Sequence, residues 1–200
     1  MSLLGKLKLA IKRRLYDNRS HWNERYATNI ELGSGHGSRG EIREYKRDLI
    51  AKAMQDHGLT SVIDLGCGDI EIIRELDIPR YRGIDLSDVV VERNRTLRPD
   101  WTFEAGDITT ANTSGTWDMT LCLDVLIHQN RRKAYSGIIE TIGRIGSNVV
   151  LVSGYETAPS GWNVFFHEKL SETLARDLPA LKFEHVGGYR DTDLFMGIRK

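Results

Sequence analysis

The sequence is poor in proline and cysteine and has no long apolar run, and each scarcity argues against a class of protein. Its 200 residues include 4 prolines and 2 cysteines. Neither cysteine forms a CxxC pair or a Cys/His zinc spacing, so we expect no metal site and two buried, reduced thiols in a cytoplasmic protein. No apolar stretch approaches the roughly 20 residues that cross a bilayer, so no membrane span is expected.

The chain also lacks a charge of one sign. Its 28 basic and 28 acidic residues balance, so no overall field attracts the protein to nucleic acid. The basic clusters at residues 12–14 and 131–133 are too short for a surface that follows a phosphate backbone. We therefore expect no nucleic-acid partner.

The first 16 residues have a basic, helical pattern. Leu4, Leu7, Ile11 and Leu15 recur at helical spacing, and lysines interrupt the apolar stretches. The pattern predicts an amphipathic helix. It either packs over the domain with a solvated basic face, or makes a peripheral contact with a membrane surface or an anionic partner.

A glycine-rich loop follows at residues 31–40, with four glycines and two serines in ten positions. We place a boundary here, with an appended helix and loop in residues 1–40 and the main domain in residues 41–200. The loop is either a flexible connector or a lid over a bound substrate. The candidate lid and substrate residues in this part of the chain are Trp22, Tyr26, Ser34 and His36.

From residue 42 onwards, helical and strand-like patterns alternate. A helical pattern ends at Gly58, and strand-like runs at residues 61–65, 81–86, 101–107, 117–126 and 148–154 are separated by helical ones, the first of which begins at 70–76. The last 20 residues read as two strands joined by a turn around Asp191. The pattern predicts an α/β fold: a Rossmann-like, doubly wound, seven-stranded and mostly parallel sheet with helices on both faces and a reversed last strand in a β6-β7 hairpin.

A glycine turn follows the first predicted strand, in the stretch SVIDLGCGDIEIIREL. Gly66 and Gly68 allow the backbone to approach a ligand closely. A dinucleotide-binding GxGxxG motif would need a third glycine where this chain has Glu71, whose charge would repel a pyrophosphate. A ligand with an amino-acid end suits the turn better, because Asp64 and Asp69 could face its ammonium group.

Two further acids end the next two predicted strands. Asp85 has the position of a carboxylate that accepts hydrogen bonds from both hydroxyls of a ribose, and Asp107 could accept one from an adenine amino group. Either acid alone could cap a following helix. Together with the glycine turn, they predict a ligand site at the carboxyl edge of the sheet.

The motifs VIDLGCGD, GID, GDI and WDMTLCLDVLIHQ, with the terminal hairpin, resemble the class I S-adenosylmethionine-dependent methyltransferases over residues 41–200. The resemblance implies that S-adenosyl-L-methionine is the cofactor, with its methionine portion at the glycine turn, its ribose at Asp85 and its adenine beside Asp107 and Ile108. Many members have glycine where this chain has Ile70. The stretch GSGHGSRGEIREYK also resembles a bacterial subgroup associated with sugar and polysaccharide modification. The implied cofactor-binding residues are Asp64, Gly66, Cys67, Gly68, Asp85, Leu86, Asp107, Ile108 and Leu123.

The candidate catalytic residues follow the fourth predicted strand. If residues 125–128 form a helical turn, Asp124 and His128 share a face near the reactive end of the cofactor, and His128 is the candidate general base. His128 could equally line the pocket or cap a helix. Tyr155 and His167 are further substrate candidates, and a metal bound by Asp124 is not favoured, because no second carboxylate lies close in sequence.

We therefore expect methyl transfer to a hydroxyl or amine of a polar small molecule or glycan. The chain has no Asn-Pro-Pro-aromatic turn and no Pro-Cys pair, which argues against methylation of adenine, of glutamine or of cytosine carbon. Two alternatives remain open. One is a non-catalytic, cofactor-binding scaffold that docks through its basic helix, and the other is a nicotinamide-dependent oxidoreductase, which the missing third glycine disfavours.

Overall fold

A seven-stranded sheet in the order β3-β2-β1-β4-β5-β7-β6 forms the centre of the molecule in the computed structural model, which describes residues 16–159 and 164–200. The strands are β1 Ser61–Leu65, β2 Arg80–Asp85, β3 Thr102–Ala105, β4 Met119–Cys122, β5 Val149–Gly154, β6 Leu181–Tyr189 and β7 Thr192–Arg199. The helices are α1 Asn18–Thr28, α2 Gly40–His57, α3 Asp88–Leu97, α4 Arg132–Ile145 and α5 Leu170–Asp177, with 3-10 turns at His36–Ser38 and Leu126–His128.

Strands β1 to β5 pair in parallel, whereas β7 runs antiparallel to both β5 and β6. The strand order reverses between β1 and β4, which is where open α/β sheets bind their ligands. The predicted fold class, with its reversed last strand and terminal hairpin, is confirmed.

Two apolar layers cover the sheet. Strands β1, β4 and β5 are buried along their whole length, as expected of parallel strands between two layers of helices. Successive residues of β1 point to opposite faces: Val62 packs in one cluster with Ile50 of α2, and Ile63 packs in the other with Ile139 of α4. This alternation holds the sheet rigidly between the helices and fixes the edge at which the strands end.

The helix predicted to begin at residues 70–76 is absent, and the segment forms consecutive turns instead. Ile70 has a φ of 53°, in the left-handed region that favours glycine. Ile70 and Ile73 are both buried in the core, so the apolar spacing reflects real burial but not a regular helix. Many members of the family that the sequence resembles have glycine at this position. The left-handed backbone conformation of Ile70 explains that preference for glycine.

The appended N-terminal part is only partly described. The helix predicted over residues 1–16 lies outside the described residues except for Tyr16, so its packing or membrane contact stays a prediction. Helix α1, which follows it, packs against α3. Among residues 16–159 and 164–200, no helix combines the length and the apolar character that crossing a membrane would need.

Candidate functional site

A cleft of about 460 Å³ opens at the carboxyl ends of the parallel strands, a size within the usual range for small-molecule sites. Its floor is formed by the glycine turn, which we define as residues 66–69, and by the residues that follow β2, β3 and β4. Helix α1 contributes a wall above them. All nine predicted cofactor-binding residues line this cleft: Asp64, Gly66, Cys67, Gly68, Asp85, Leu86, Asp107, Ile108 and Leu123.

The glycine turn has the backbone conformation that its glycines suggested. Gly66 and Gly68 have φ angles of 81° and 54°. A Cβ atom at Gly66 would overlap Val125, and one at Gly68 would overlap the hydroxyl of Ser34. Both positions therefore need glycine for the conformation and for the close approach of neighbouring segments.

Asp85 is the buried acid at the end of β2. Its Oδ2 accepts a hydrogen bond from the Gly68 amide at 2.9 Å, and its Oδ1 accepts one from the Ser87 amide at 2.9 Å. Burial raises the pKa of Asp85 above its ordinary value, against the lowering effect of these amide hydrogen bonds. Because each carboxylate oxygen has two lone pairs, the side chain retains acceptor capacity towards the cleft.

Asp64, at the back of the glycine turn, is also buried. Its Oδ2 accepts a hydrogen bond from the Tyr81 hydroxyl at 3.0 Å. Burial raises the pKa of Asp64 to about 7, with the Tyr81 bond opposing the shift and the nearby Asp85 adding to it. Burial likewise raises the pKa of the Cys67 thiol, so this cysteine is a neutral wall residue.

Asp69 does not face the cleft with a free carboxylate, contrary to the expectation that it would meet a ligand ammonium. Its oxygens accept hydrogen bonds from the Ser34 amide and hydroxyl, at 3.0 and 2.8 Å, and from Arg39 at 2.6 Å. Burial raises the pKa of Asp69, but these hydrogen bonds outweigh it and hold the pKa below its usual value. The carboxylate therefore anchors the glycine-rich loop on the glycine turn.

Asp107 caps the turn that follows β3. Its Oδ1 accepts hydrogen bonds from the amide and the hydroxyl of Thr109, both at 2.8 Å. Asp107 is exposed, whereas the next residue, Ile108, is buried at the cleft. The capping alternative that the sequence left open is thus present, and the side chain lines the cleft at the same time.

Helix α1 presents one face to the cleft, with Asn18, Trp22 and Tyr26 at successive turns. The Tyr26 hydroxyl lies 3.0 Å from that of Ser34, and the Trp22 ring meets the His128 ring edge-on at 5.1 Å between centroids. The predicted lid residues Trp22, Tyr26 and Ser34 therefore do line the cleft.

Three other predicted substrate residues are not among the residues that line the cleft. His36 is exposed, in the 3-10 turn of the glycine-rich loop. Tyr155 is buried, and burial raises its pKa to about 12. The Nε2 atom of His167 lies 2.8 Å from the carbonyl oxygen of Gln129, so His167 supports a wall residue from behind.

The catalytic candidates occupy the loop after β4, but not as one helical turn. The 3-10 turn Leu126–His128 carries His128 to the cleft, while Asp124 before it has a φ of 58°. The Asp124 carboxylate forms an ion pair with Lys46 at 2.7 Å and accepts a hydrogen bond from the Ser153 hydroxyl at 3.0 Å. These contacts argue against Asp124 as a group that exchanges protons with a substrate.

Lys46 is a site-related residue that the sequence pattern did not single out. The buried face of α2 includes Ile42, Lys46 and Ile50, whereas Tyr45 is exposed. The signal was available, because Lys46 lies four residues after Ile42 and four before Ile50. A lysine in the middle of an apolar face indicates a buried partner.

Potential metal ligands do not cluster in the described parts of the chain: no group of three or more His, Cys, Asp or Glu side chains could hold an ion there. The acids at the strand ends are instead bonded to backbone amides, hydroxyls or cations.

Comparisons with known proteins give a consistent result at the level of fold. No family model and no curated protein sequence matches the chain. The N-methyltransferase NodS of Bradyrhizobium japonicum WM9, solved with S-adenosyl-L-homocysteine, superposes with a TM-score of 0.73 at 16% identity, covering 92% of this chain and 99% of NodS. Magnesium protoporphyrin IX methyltransferase of Synechocystis PCC 6803, also solved with that product, gives 0.71 at 17% identity, with 91% and 98% covered.

This is the fold of S-adenosylmethionine-dependent methyltransferases. A TehB-like methyltransferase of Corynebacterium glutamicum shares it too, with a TM-score of 0.65 at 15% identity over 90% of this chain and 99% of that one. At such identities the likeness extends to the fold alone.

Proposed function

We propose that this protein transfers the methyl group of S-adenosylmethionine to a hydroxyl or amine of a polar small molecule or glycan. The observation that carries the proposal is the bond from the Gly68 amide to Asp85, which sets a buried carboxylate beside a glycine turn at the point where the strand order reverses. The neighbouring folds, which were solved with S-adenosyl-L-homocysteine, support the same ligand class.

The residues of the cleft fit this cofactor better than a dinucleotide. Asp64 and Asp85 are both buried next to the glycine turn, where a pyrophosphate would need positive charge. Arg39, which reaches the glycine turn, is already bound there to Asp69. When bound, S-adenosylmethionine supplies a methyl group on a positively charged sulfonium, and its amino-acid end adds an ammonium that carboxylates favour.

Each residue at the cofactor side has a definite role in this proposal. Asp85 accepts hydrogen bonds from the ribose hydroxyls, and Ile108 packs against the adenine next to Asp107. The Asp64 carboxyl, with its pKa at about 7, ionises readily when a positive group lies close, so it favours the ammonium end of the ligand.

The acceptor side of the cleft combines an aromatic ring with polar side chains. Trp22 lies beside Asn18, Gln129 and Asn130 in the cleft wall. The Asn18 amide donates to the Gln129 side-chain oxygen at 3.4 Å, and the Gln129 amide donates to the Val125 carbonyl at 2.9 Å. A ring beside fixed amides suits a hydroxylated acceptor such as a sugar, which stacks on the ring and exchanges hydrogen bonds with the amides.

His128 is the general base of the proposed reaction. Among the described residues that line the cleft, it is the histidine, and histidine side chains ordinarily titrate near neutral pH. Trp22 packs against its ring and limits its rotation. Helix α1 forms one wall of the cleft and, in this proposal, positions the acceptor, so most of the rate enhancement comes from alignment.

The test is cofactor binding followed by methyl transfer. S-adenosylmethionine or S-adenosylhomocysteine at about 100 times its dissociation constant should stabilise the fold by roughly 2.7 kcal/mol, and NAD should not. No thermal shift at millimolar ligand, with folding confirmed by circular dichroism, would overturn the proposal. Labelled methyl transfer to a library of metabolites and oligosaccharides then separates an enzyme from the non-catalytic alternative, which would bind the cofactor and transfer nothing.

A further inference from the structure

Lys46 is almost completely buried, with 1% of its surface exposed. Its ammonium group donates hydrogen bonds to the Gly37 carbonyl at 2.9 Å and to Asp124 Oδ2 at 2.7 Å. Burying a lysine is costly unless its charge is paired and hydrogen-bonded, and breaking such a pair leaves an uncompensated charge. The pair therefore joins helix α2, the glycine-rich loop and the loop after β4 at one point.

Asp124 needs such a restraint because of its backbone. Its φ of 58° is uncommon for a residue with a side chain. The Asp124 amide donates to the Ser153 hydroxyl at 2.6 Å, and this hydroxyl donates back to Asp124 Oδ1 at 3.0 Å. With Lys46 on Oδ2, both carboxylate oxygens and the amide of Asp124 are bound.

Two functional segments depend on the direction in which the chain leaves Asp124. Val125, the next residue, packs so closely on the glycine turn that a Cβ atom at Gly66 would overlap it. Three residues further on, His128 faces the cleft and meets Trp22 of α1. A change at Asp124 thus moves both the wall of the cofactor site and the candidate base.

The glycine-rich loop also contacts this ion pair. A Cβ atom at Gly37 would overlap Asp124 Oδ2 and would lie 3.5 Å from Lys46 Nζ. This close approach of the loop to the ion pair therefore requires glycine at position 37.

We propose that Lys46 is a positioning residue: through Asp124 it sets the turn that carries Val125 and His128, and through Gly37 it fastens the glycine-rich loop over the cleft. The inference rests on the proposed function, because that function identifies the cleft as the site of cofactor and acceptor. It assigns Asp124 to the support of the site and leaves proton transfer to His128.

The experiment compares single and double substitutions in the full chain. Lys46→Met removes the charge and keeps the length of the stem, Asp124→Asn removes the opposite charge, and the double variant removes both. Gly37→Ala inserts a methyl group at the ion pair while both charged residues remain. Lys52→Met, on the exposed side of the same helix, is the matched control.

Two readouts are measured at a temperature where circular dichroism shows each variant folded. One is the dissociation constant of S-adenosylhomocysteine by calorimetry. The other is the ring proton shift of His128 by NMR, identified among the 6 histidines by its loss in His128→Gln. A lysine that contributed only to stability would change neither of them.

We expect Lys46→Met and Asp124→Asn each to weaken binding by about tenfold and to shift the His128 resonance, since residues of one ion-pair network are strongly coupled. The double variant should lose no more than the worse single one, and Lys52→Met should match the wild type. Gly37→Ala should shift the His128 resonance without any change of charge. If Lys46→Met does not fold, the Gly37→Ala variant alone tests the proposal.

Wild-type affinity together with an unchanged His128 resonance in the folded variants would overturn the role of Lys46. Fully additive losses in the double variant would do the same, because they would show that Lys46 does not act through Asp124. If the wild type binds no S-adenosylhomocysteine, the proposed function fails, and the His128 resonance still decides whether Lys46 positions the turn.

Discussion

The Gly68 amide donates a hydrogen bond of 2.9 Å to Asp85 Oδ2, which joins the turn after β1 to the end of β2. The bond fixes the carboxylate and the turn relative to each other, so two ligand-facing features of neighbouring strands form one unit. The Ser87 amide holds the other oxygen of Asp85 at 2.9 Å. The cleft therefore presents a preorganised acceptor, which reduces the free energy lost in ordering the site on binding.

Substitution of Asp85 tests this acceptor. Asp85→Asn should weaken the binding of S-adenosylhomocysteine by about 1.5–3 kcal/mol, because hydrogen bonds to a charged group are lost or weakened. Calorimetry measures the loss, and Asp77→Asn, at an exposed position, should bind as the wild type does. An unchanged dissociation constant in the folded Asp85 variant would remove Asp85 from the binding site.

Two glycines with similar backbone conformations offer a matched comparison. Gly68 and Gly58 have φ angles of 54° and 62°, but a Cβ atom at Gly68 would overlap Ser34, whereas one at Gly58 meets nothing within 4 Å. Gly58→Ala should cost only the strain of the left-handed backbone, about 1–2 kcal/mol of unfolding free energy. Gly68→Ala should cost more and should also release the glycine-rich loop.

Urea unfolding measures the stability of both alanine variants, and limited proteolysis within residues 31–40 reports the release of the loop. Faster cleavage is expected for Gly68→Ala only. Equal stability and equal cleavage in the two variants would mean that the contact between Ser34 and the glycine turn does not hold the loop.

The sheet was predictable because its signals are local. Each buried strand reads as a short apolar run, and Asp64, Asp85 and Asp107 lie at or directly after strand ends that one edge of a parallel sheet brings together. Glycine at positions 66 and 68 is also a local signal, because a positive φ angle depends on the residue type at the position itself.

The parts that could not be predicted depend on tertiary contacts. Ile70 and Ile73 have helical spacing, but the core holds Ile70 in a left-handed conformation that ends any helix. Asp69 looked like a ligand-facing acid, yet Ser34 and Arg39, more than 25 residues away in sequence, bind its carboxylate. The pairing of Lys46 with Asp124 spans 78 positions and has no local signature beyond the lysine on an apolar helix face.

The buried carboxyl of Asp64 predicts a pH dependence of stability. Its pKa of about 7 lies above the ordinary value of about 3.9, so between these values the folded chain holds a proton that the unfolded chain has lost. Stability should therefore fall as pH rises from 4 to 7 and change little above that. Asp64→Asn removes this contribution, and its stability relative to the wild type should rise by roughly 2 kcal/mol between pH 5 and pH 8.

Urea unfolding at the two pH values checks the sign of the Asp64 effect. Asp85, whose pKa burial also raises, contributes in the same direction and remains in the variant, so a smaller slope should persist. Asp77→Asn should follow the wild type at both pH values. A stability difference between Asp64→Asn and the wild type that does not grow with pH would show that Asp64 is ionised throughout.

Substitution of His128 tests proton transfer separately from cofactor binding. His128→Gln keeps a polar side chain next to Trp22 but cannot act as a base, so methyl transfer to an identified acceptor should fall by about 10²–10⁴-fold. S-adenosylhomocysteine should bind as before, because the cofactor residues lie on the strand ends and the glycine turn. His36→Gln, at an exposed histidine outside the described cleft walls, is the matched control and should retain full activity.

In the wild type the rate should rise with pH as a histidine loses its proton, and this rise should be absent from His128→Gln. An unchanged rate and pH profile in His128→Gln would make the residue part of the cleft wall and would imply an acceptor that needs no base.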